Sequence, residues 1–181
     1  MKIDPEERAS SAMALFREGY NCCQAVSLAF SDIIELRLGM TPDQIRSVTS
    51  GFGGGFARMR EVCGCVSGMT FVCGAISPAL PASHDGGQSS AQESRKRNYA
   101  LVQECAAAFR EQNGSIICRD LLGLRAAAIR EQDGPTDIHG FPVESPEPSV
   151  RTPEFYKARP CERLIGCAAR ILAEKIATFA F

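Results

Sequence analysis

Four of the nine cysteines stand at the predicted start of a helix, where thiol chemistry is favoured: Cys22, Cys63, Cys118 and Cys161. Asn21, a helix-capping residue, directly precedes Cys22, and Pro160 directly precedes Cys161. The free N–H groups and the positive dipole end at a helix start stabilise a thiolate and lower the pKa of the thiol. Disulfide exchange and metal binding both use the thiolate. We therefore predict these four as the redox-active thiols and as ligands of any thiolate-bound metal.

The other cysteines fall into two groups. Three lie inside predicted helices among apolar neighbours and are interpreted as small packing residues: Cys73, Cys105 and Cys167. Cys23 and Cys65 stand next to or near favoured thiols, so we rank them second, as candidate resolving partners. Residues two apart on a helix do not face each other, so Cys63 and Cys65 could share a metal only if Cys63 lies outside the helix proper.

Two glycines beside Cys63 are candidate cofactor-binding positions. Gly64 and Gly68 are four residues apart, which leaves one helix face without side chains. That face allows either tight helix packing or space for a cluster or an incoming thiol. The upstream glycine-rich segment, residues 51–55, lacks the lysine and Ser/Thr of a phosphate-binding loop and is interpreted as a turn that delivers Cys63. His84 and His139 lie in polar loops at no metal-ligand spacing and are not predicted as ligands.

The elements that must position these residues are helices. Apolar residues recur at three- and four-residue intervals, and no segment shows sustained strand-like alternation. We predict one all-α domain, residues 1–181, a single-domain bundle of about five to seven helices. The expected helical segments are approximately residues 5–18, 22–38, 42–50, 63–77, 91–113, 118–122, 124–130 and 160–178. Residues 133–160 contain six prolines and are predicted to be irregular, as a surface loop, a strap across the bundle or a subunit contact.

Composition narrows the function classes. The net charge is −1, with 20 basic and 21 acidic residues intermixed, so neither nucleic acid nor an anionic membrane is an expected partner. The first ten residues, MKIDPEERAS, do not resemble a secretion signal, and the longest apolar stretch is too short and too interrupted to span a bilayer. We therefore expect a cytoplasmic protein. An odd count of nine cysteines in that compartment favours metal or redox chemistry over a disulfide framework. A homo-oligomer is compatible with the sequence, and the redox partner is not indicated.

Five motifs carry a family resemblance. They are GYNCCQAV at 19–26, SGFGGG at 50–55, CGCVSG at 63–68, NGSIICRDLLG at 113–123, and the pair at 160–161. Together they resemble the C_GCAxxG_C_C family of redox-active proteins. The resemblance implies four characteristic cysteines, which are here the same four that helix position selects. The chain departs from the family by placing Cys23 and Cys65 where small residues such as alanine are usual, and by its proline-rich segment.

The resemblance also bears on the cofactor. A similar segment is associated with iron–sulfur or other iron sites in a split-Soret type cytochrome, and this resemblance favours a cluster without excluding a protein that binds no cofactor. The chain has no Cys-x-x-Cys-His motif, so covalent haem is not implied.

Three functions remain open from the sequence. The first is an iron–sulfur or other metal–thiolate electron-transfer site held by the four thiols. The second is a metal-free thiol–disulfide oxidoreductase, with Cys63 as first nucleophile and Cys22 or another of the four resolving. The third is a zinc-stabilised structural or interaction domain without turnover. Whether the protein is an enzyme or only carries electrons is not decided at this level.

Overall fold

The computed structural model describes residues 3–77, 87–124 and 146–178, and within these ranges the chain is helical and has no β-strand. This confirms the all-α prediction. The helices are α1 (Pro5–Arg17), α2 (Cys22–Leu28), α3 (Ser31–Leu38), α4 (Pro42–Val48), α5 (Gly64–Ile76), α6 (Gly87–Asn113), α7 (Cys118–Leu121), α8 (Pro153–Ala158) and α9 (Cys161–Ala177), with a 3-10 turn at Ser50–Phe52.

Local capping explains where the early helices begin. The Asp4 carboxylate accepts a hydrogen bond from the backbone N–H of Glu6 at 2.9 Å, and Pro5 occupies the first turn of α1. Helices α2 and α4 each open with a complete capping box, in which Asn21 and Thr41 are the caps. The sequence signals predicted all three starts correctly.

The predicted helix 22–38 is wrong as a single element, because it breaks between α2 and α3. At the break the fully buried Phe30 leaves the helical conformation, with φ −120° and ψ 23°. The Ala29 carbonyl oxygen instead accepts a hydrogen bond from the Arg8 guanidinium at 2.6 Å, and Arg8 also pairs with Asp32. The Arg8 side chain of α1 therefore provides a hydrogen-bond donor for the Ala29 carbonyl group, which the break leaves without a helical partner.

Two further boundaries differ from expectation. Helix α6 begins at Gly87, ahead of the start predicted near residue 91. The segment 133–160 is not irregular throughout, since it contains α8, which begins at Pro153 with Thr152 as its cap. The helix predicted at 124–130, the histidines at 84 and 139, and most of the proline-rich segment lie outside the described residues.

The core forms where α1 packs along α9 and where α5 packs between α2 and α6. Helix α9 supplies an apolar face at three- and four-residue spacing that includes Ile165, Leu172 and Ile176, none of which is exposed to solvent. Phe30, at the break between α2 and α3, and Phe109, on α6, are equally buried. In the described part of the chain, no helix combines the length and the hydrophobicity that a membrane crossing requires.

Candidate redox site

Five thiols line one cavity of about 320 Å³, which we call the thiol pocket. They are Cys22, Cys63, Cys65, Cys118 and Cys161. The set includes all four thiols predicted from helix position, although up to 139 residues of chain separate them (161 minus 22). It also includes Cys65, which the sequence ranked second. The bundle therefore brings together thiols from four separate stretches of the chain.

Each of the four predicted thiols stands at a helix start, as expected. Cys22, Cys118 and Cys161 are the first residues of α2, α7 and α9, and Cys63 is the N-cap of α5. Cys63 thus lies outside the helix proper. That position lets Cys63 and Cys65 face the same cavity even though they are two residues apart.

A short backbone pairing holds Cys63 beside Cys118. The N–H of Cys63 donates to the Ile116 carbonyl oxygen at 2.8 Å, and the N–H of Cys118 donates to the Glu61 carbonyl oxygen at 2.7 Å. An isolated antiparallel bridge lies between them, and the Arg119 guanidinium binds both oxygens of the Glu61 carboxylate. These contacts hold the segments 61–63 and 116–119, which carry the two thiols, side by side.

The glycine-rich segment packs against the site and is more than a turn leading to Cys63. A side-chain Cβ at Gly53 would lie 2.6 Å from the Asn21 Cβ, and one at Gly55 would lie 2.7 Å from the Cys118 Cβ. Gly55 also has a φ of +72°, a conformation that residues with a side chain rarely adopt. These glycines let the backbone approach the cap of α2 and the first residue of α7.

Gly64 and Gly68 mark the contact between α5 and α2. A Cβ at Gly64 would lie 3.0 Å from the Cys22 Cβ, and one at Gly68 would lie 2.8 Å from the Val26 Cβ. Gly64 also lines the thiol pocket, whereas Gly68 lies further along the helix interface. The close approach of the two helices explains both glycines, and at Gly64 it also sets the distance of Cys22 from the base of α5.

Cys22 is the activated thiol of the pocket. It is partly exposed, and the neighbouring thiols of Cys161 and Cys65 hold its pKa well below the ordinary value of 9.0 by interacting with the thiolate. The positive charge of Arg151 and the N–H at the start of α2 act in the same direction, and together these effects outweigh burial.

The neighbouring thiols shift in the opposite direction and stay protonated. The pKa of Cys161 and that of Cys65 are raised, first because each interacts with the Cys22 thiolate, and also because each is desolvated. Burial raises the pKa of Cys118 to about 12, although Arg60 opposes the shift. The pocket thus holds the stabilised Cys22 thiolate together with three thiols that keep their protons, Cys65, Cys118 and Cys161.

The remaining cysteines lie away from the pocket. Cys23 points into the core at 1% exposure, and burial raises its pKa to about 12. The sulfur atoms of Cys73 and Cys105 are 3.9 Å apart between α5 and α6. Cys167 contacts the side chains at the end of α6. The predicted packing role of the last three is consistent with these buried positions.

The sequence did not predict the charged and aromatic side chains that line the pocket. Four arginines line it: Arg58, Arg60, Arg151 and Arg159. Arg151 and Arg159 flank α8 and line the pocket. Residues 146–160, the described end of the proline-rich segment, therefore form one side of the pocket. We call these residues the strap, after the alternative to which this position corresponds. No local spacing signals this, because the Arg151 guanidinium reaches the Phe16 carbonyl oxygen across 135 residues of sequence.

The thiols surround a space instead of converging on a point. Among residues 3–77, 87–124 and 146–178, no three His, Cys, Asp or Glu side chains are placed to hold one metal ion. A mononuclear zinc site needs such a converging set. The charged or soft donors that line the cavity include five thiols and no carboxylate among the described residues, a donor set of the kind that binds soft metals and metal–sulfur clusters.

Comparison with known proteins agrees with the cysteine pattern. A sequence model of the family described as "Putative redox-active protein (C_GCAxxG_C_C)" matches residues 20–175. No curated protein and no solved structure matches the chain. The matched range begins just before Cys22, ends within α9 and contains every thiol of the pocket. The chain therefore belongs to the C_GCAxxG_C_C family of redox-active proteins.

Proposed function

We propose that the protein performs thiol–disulfide redox chemistry, with Cys22 as the attacking thiol and Cys161 as the resolving thiol. The observation that carries this proposal is that two partly exposed cysteines, one of them with a lowered pKa, line one cavity together with further thiols. Exposure together with thiolate character is what makes a cysteine reactive. The buried thiols of the pocket lack the first of these properties.

This proposal moves the nucleophile from Cys63 to Cys22. Cys63 is only 4% exposed, and its backbone is engaged in the bridge to the segment before α7. Cys22 is reachable from solvent, and its thiolate is stabilised by its neighbours. Oxidation would join the sulfur of the Cys22 thiolate to that of the Cys161 thiol and release two electrons and the Cys161 proton to an acceptor and solvent, and reduction would reverse these changes.

The test is a redox titration of the metal-free protein against a dithiothreitol couple, followed by mapping of the disulfide. We expect a reversible two-electron transition and a Cys22–Cys161 bond. Cys22→Ser and Cys161→Ser should each abolish the transition, whereas Cys167→Ser, outside the pocket, should leave it intact. A disulfide that leaves out Cys22 in the wild-type chain would refute the assignment.

A second candidate is an iron–sulfur or other thiolate-bound metal centre. It is favoured by the convergence of all four family cysteines on one cavity, with soft sulfur donors and no carboxylate among the described lining residues. Cys22, Cys63, Cys118 and Cys161 would hold it, with Cys65 as an additional thiol at its base. When bound, such a centre would supply one-electron transfer. The N–H groups at the helix starts would then donate to the sulfurs and tune the potential.

Substitution of Cys63 separates the two candidates. Protein purified anaerobically without chelator would be analysed for iron, sulfide, zinc and visible absorption. Under the cluster candidate, Cys63→Ser should lose iron and charge-transfer absorption. Under the dithiol proposal, wild type should be colourless and Cys63→Ser should keep the Cys22–Cys161 transition. Iron and sulfide in wild type, lost in Cys63→Ser and Cys161→Ser but kept in Cys167→Ser, would overturn the dithiol proposal.

A further inference from the structure

The thiol pocket carries an excess of positive charge. Its described lining contains four arginines and no aspartate or glutamate: Arg58, Arg60, Arg151 and Arg159. They come from two parts of the chain, since Arg58 and Arg60 follow the glycine-rich segment, whereas Arg151 and Arg159 flank α8. Charges of one sign around a partly enclosed cavity raise the local concentration of oppositely charged ligands. The net charge of the whole chain, −1, gives no hint of this local field.

The two arginines of the strap are positioned by neutral groups. The Arg151 guanidinium donates to the Phe16 carbonyl oxygen at 2.8 Å and lies 4.7 Å from the centre of the Phe16 ring. The Arg159 guanidinium lies 5.0 Å from the centre of the Phe155 ring. Within the described residues neither forms an ion pair, so their charge is oriented without being neutralised.

Backbone strain accompanies the other two arginines. Four non-glycine residues near the pocket have positive φ angles: Phe56, Ala57, Arg58 and Arg60. Each such conformation is energetically unfavourable and persists only where the surrounding structure imposes it. The strained segment is the one that brings Arg58 and Arg60 to the cavity wall, across from the strap. Strain of this kind is common at ligand clamps.

We propose that the thiol pocket binds a small disulfide bearing carboxylate groups, with the arginines holding the carboxylates while the ligand's sulfur faces Cys22. Arginine suits this role because its planar group can bind a carboxylate through two parallel hydrogen bonds. The inference rests on the proposed function for its chemical step, and it adds the substrate class.

The reaction balances without a further reactant. The Cys22 thiolate attacks one ligand sulfur, the ligand S–S bond breaks, and the first half leaves as a thiolate. That thiolate takes the proton of the Cys161 thiol, and the Cys161 sulfur then attacks the Cys22 sulfur. A Cys22–Cys161 disulfide forms and the second half leaves as a thiolate, which solvent protonates. The ligand is reduced by two electrons and the protein is oxidised by two.

Two probes of opposite character test the inference. Dithiodiglycolate is a disulfide with two carboxylates, and bis(2-hydroxyethyl) disulfide is neutral. For each probe, the rate at which it oxidises Cys22 in the reduced, metal-free protein would be divided by the rate at which the same probe reacts with a free small thiol. We expect the normalised rate to favour dithiodiglycolate by about tenfold or more at low salt, and the preference to shrink as ionic strength rises.

The matched variants are two arginines near the start of α9. Arg159→Gln should lower the preference severalfold. Arg163→Gln should not, because Arg163 is exposed, donates to Asn113 and does not line the pocket. The preference is a ratio measured on the same protein, so a loss of reactive protein alone does not imitate the effect. Equal normalised rates for the two probes in wild type would overturn the inference and leave the proposed function standing.

A binding measurement separates the binding of the carboxylate ligand from the thiol–disulfide reaction of Cys22. Calorimetric titration of Cys22→Ser with dithiodiglycolate should give saturable binding that Arg159→Gln weakens. If neither probe oxidises Cys22 while this binding persists, the proposed function fails and anion binding stands. Absence of binding in the titration overturns anion binding itself.

Discussion

At the scale of single residues, the chemistry of the chain depends on which thiol is both charged and reachable. Nine cysteines are present, and five share the thiol pocket, yet only Cys22 combines partial exposure with a lowered pKa. Its neighbours keep their protons because the Cys22 thiolate already occupies the favourable site. One ionised sulfur among several protonated ones is a suitable starting state for disulfide exchange.

This arrangement predicts the pH profile of alkylation. The rate for Cys22 with iodoacetamide should rise with the thiolate fraction and reach its midpoint below 9.0, the ordinary value for cysteine. Arg151→Gln should move the midpoint upward, because the Arg151 charge favours the thiolate. Cys22→Ser should remove the fast phase and Cys167→Ser should retain it. A midpoint at or above 9.0 in wild type would contradict the assignment.

At the scale of elements, the site depends on two close backbone contacts made possible by glycine. One lies between α5 and α2 at Gly68, and the other lies between the glycine-rich segment and α7 at Gly55. Both contacts set the separation of helix starts that carry pocket thiols. The same residue type therefore serves helix packing in one place and a left-handed turn in the other.

Two glycines of α5 offer a matched comparison. Gly68→Ala places a Cβ 2.8 Å from the Val26 Cβ and 3.0 Å from the Cys23 carbonyl oxygen, so the helices must separate. We expect a loss of about 1–3 kcal/mol in the free energy of unfolding, measured by urea denaturation. Gly74→Ala, in the same helix with no atom within 4 Å, should be neutral or stabilising by up to about 1 kcal/mol. Equal effects at the two positions would show that the α5–α2 contact is not tight.

Gly55, in the glycine-rich segment, and Gly114, before α7, give a second pair of matched substitutions. Gly55→Ala combines a positive φ with a Cβ contact of 2.7 Å to Cys118, whereas Gly114→Ala has a φ of +84° and open space. Both should lose about 1–2 kcal/mol from the left-handed conformation alone. Gly55→Ala should lose more, and it alone should change the oxidation behaviour of the pocket by displacing Cys118. Identical losses and an unchanged redox midpoint would argue against the packing role.

At the scale of the whole molecule, buried thiols make stability depend on pH. The pKa of Cys23 is about 12 in the folded protein and 9.0 ordinarily, so between these values the unfolded chain releases a proton that the native thiol keeps. The unfolded state then binds fewer protons, and stability falls as pH rises from about 9 towards 12. Cys118 acts in the same direction.

Removing one buried thiol should reduce that dependence. We expect the free energy of unfolding of the metal-free, reduced protein to fall above pH 9. In Cys23→Ala the fall should be shallower by up to about 1.4 kcal/mol per pH unit, which corresponds to one proton. Cys167→Ser serves as the comparison variant. Urea denaturation at several pH values measures the slopes, and an unchanged slope in Cys23→Ala would mean that this thiol titrates normally in the native protein.

Local features of the sequence determined the helix starts and the residues placed there. Asp4, Asn21 and Thr41 cap helices through hydrogen bonds that span only two or three residues, so their effect can be read directly from neighbouring letters. The position of Cys22 at the start of α2 follows from the same local rule. The all-α class likewise follows from apolar periodicity, which is a property of single helices.

Only the tertiary structure decided which thiols meet and which one is activated. The helix break at Phe30 depends on Arg8 of another helix, and the pocket charge depends on Arg151 from the strap. Cys63 and Cys65 can both line the pocket because Cys63 is the N-cap of α5 and lies outside the helix proper. Desolvation and Coulomb interactions act between groups that are close in space, whatever their separation in sequence. The sequence alone therefore placed four thiols at helix starts, and the packing of the bundle brought them to one cavity and lowered the pKa of Cys22.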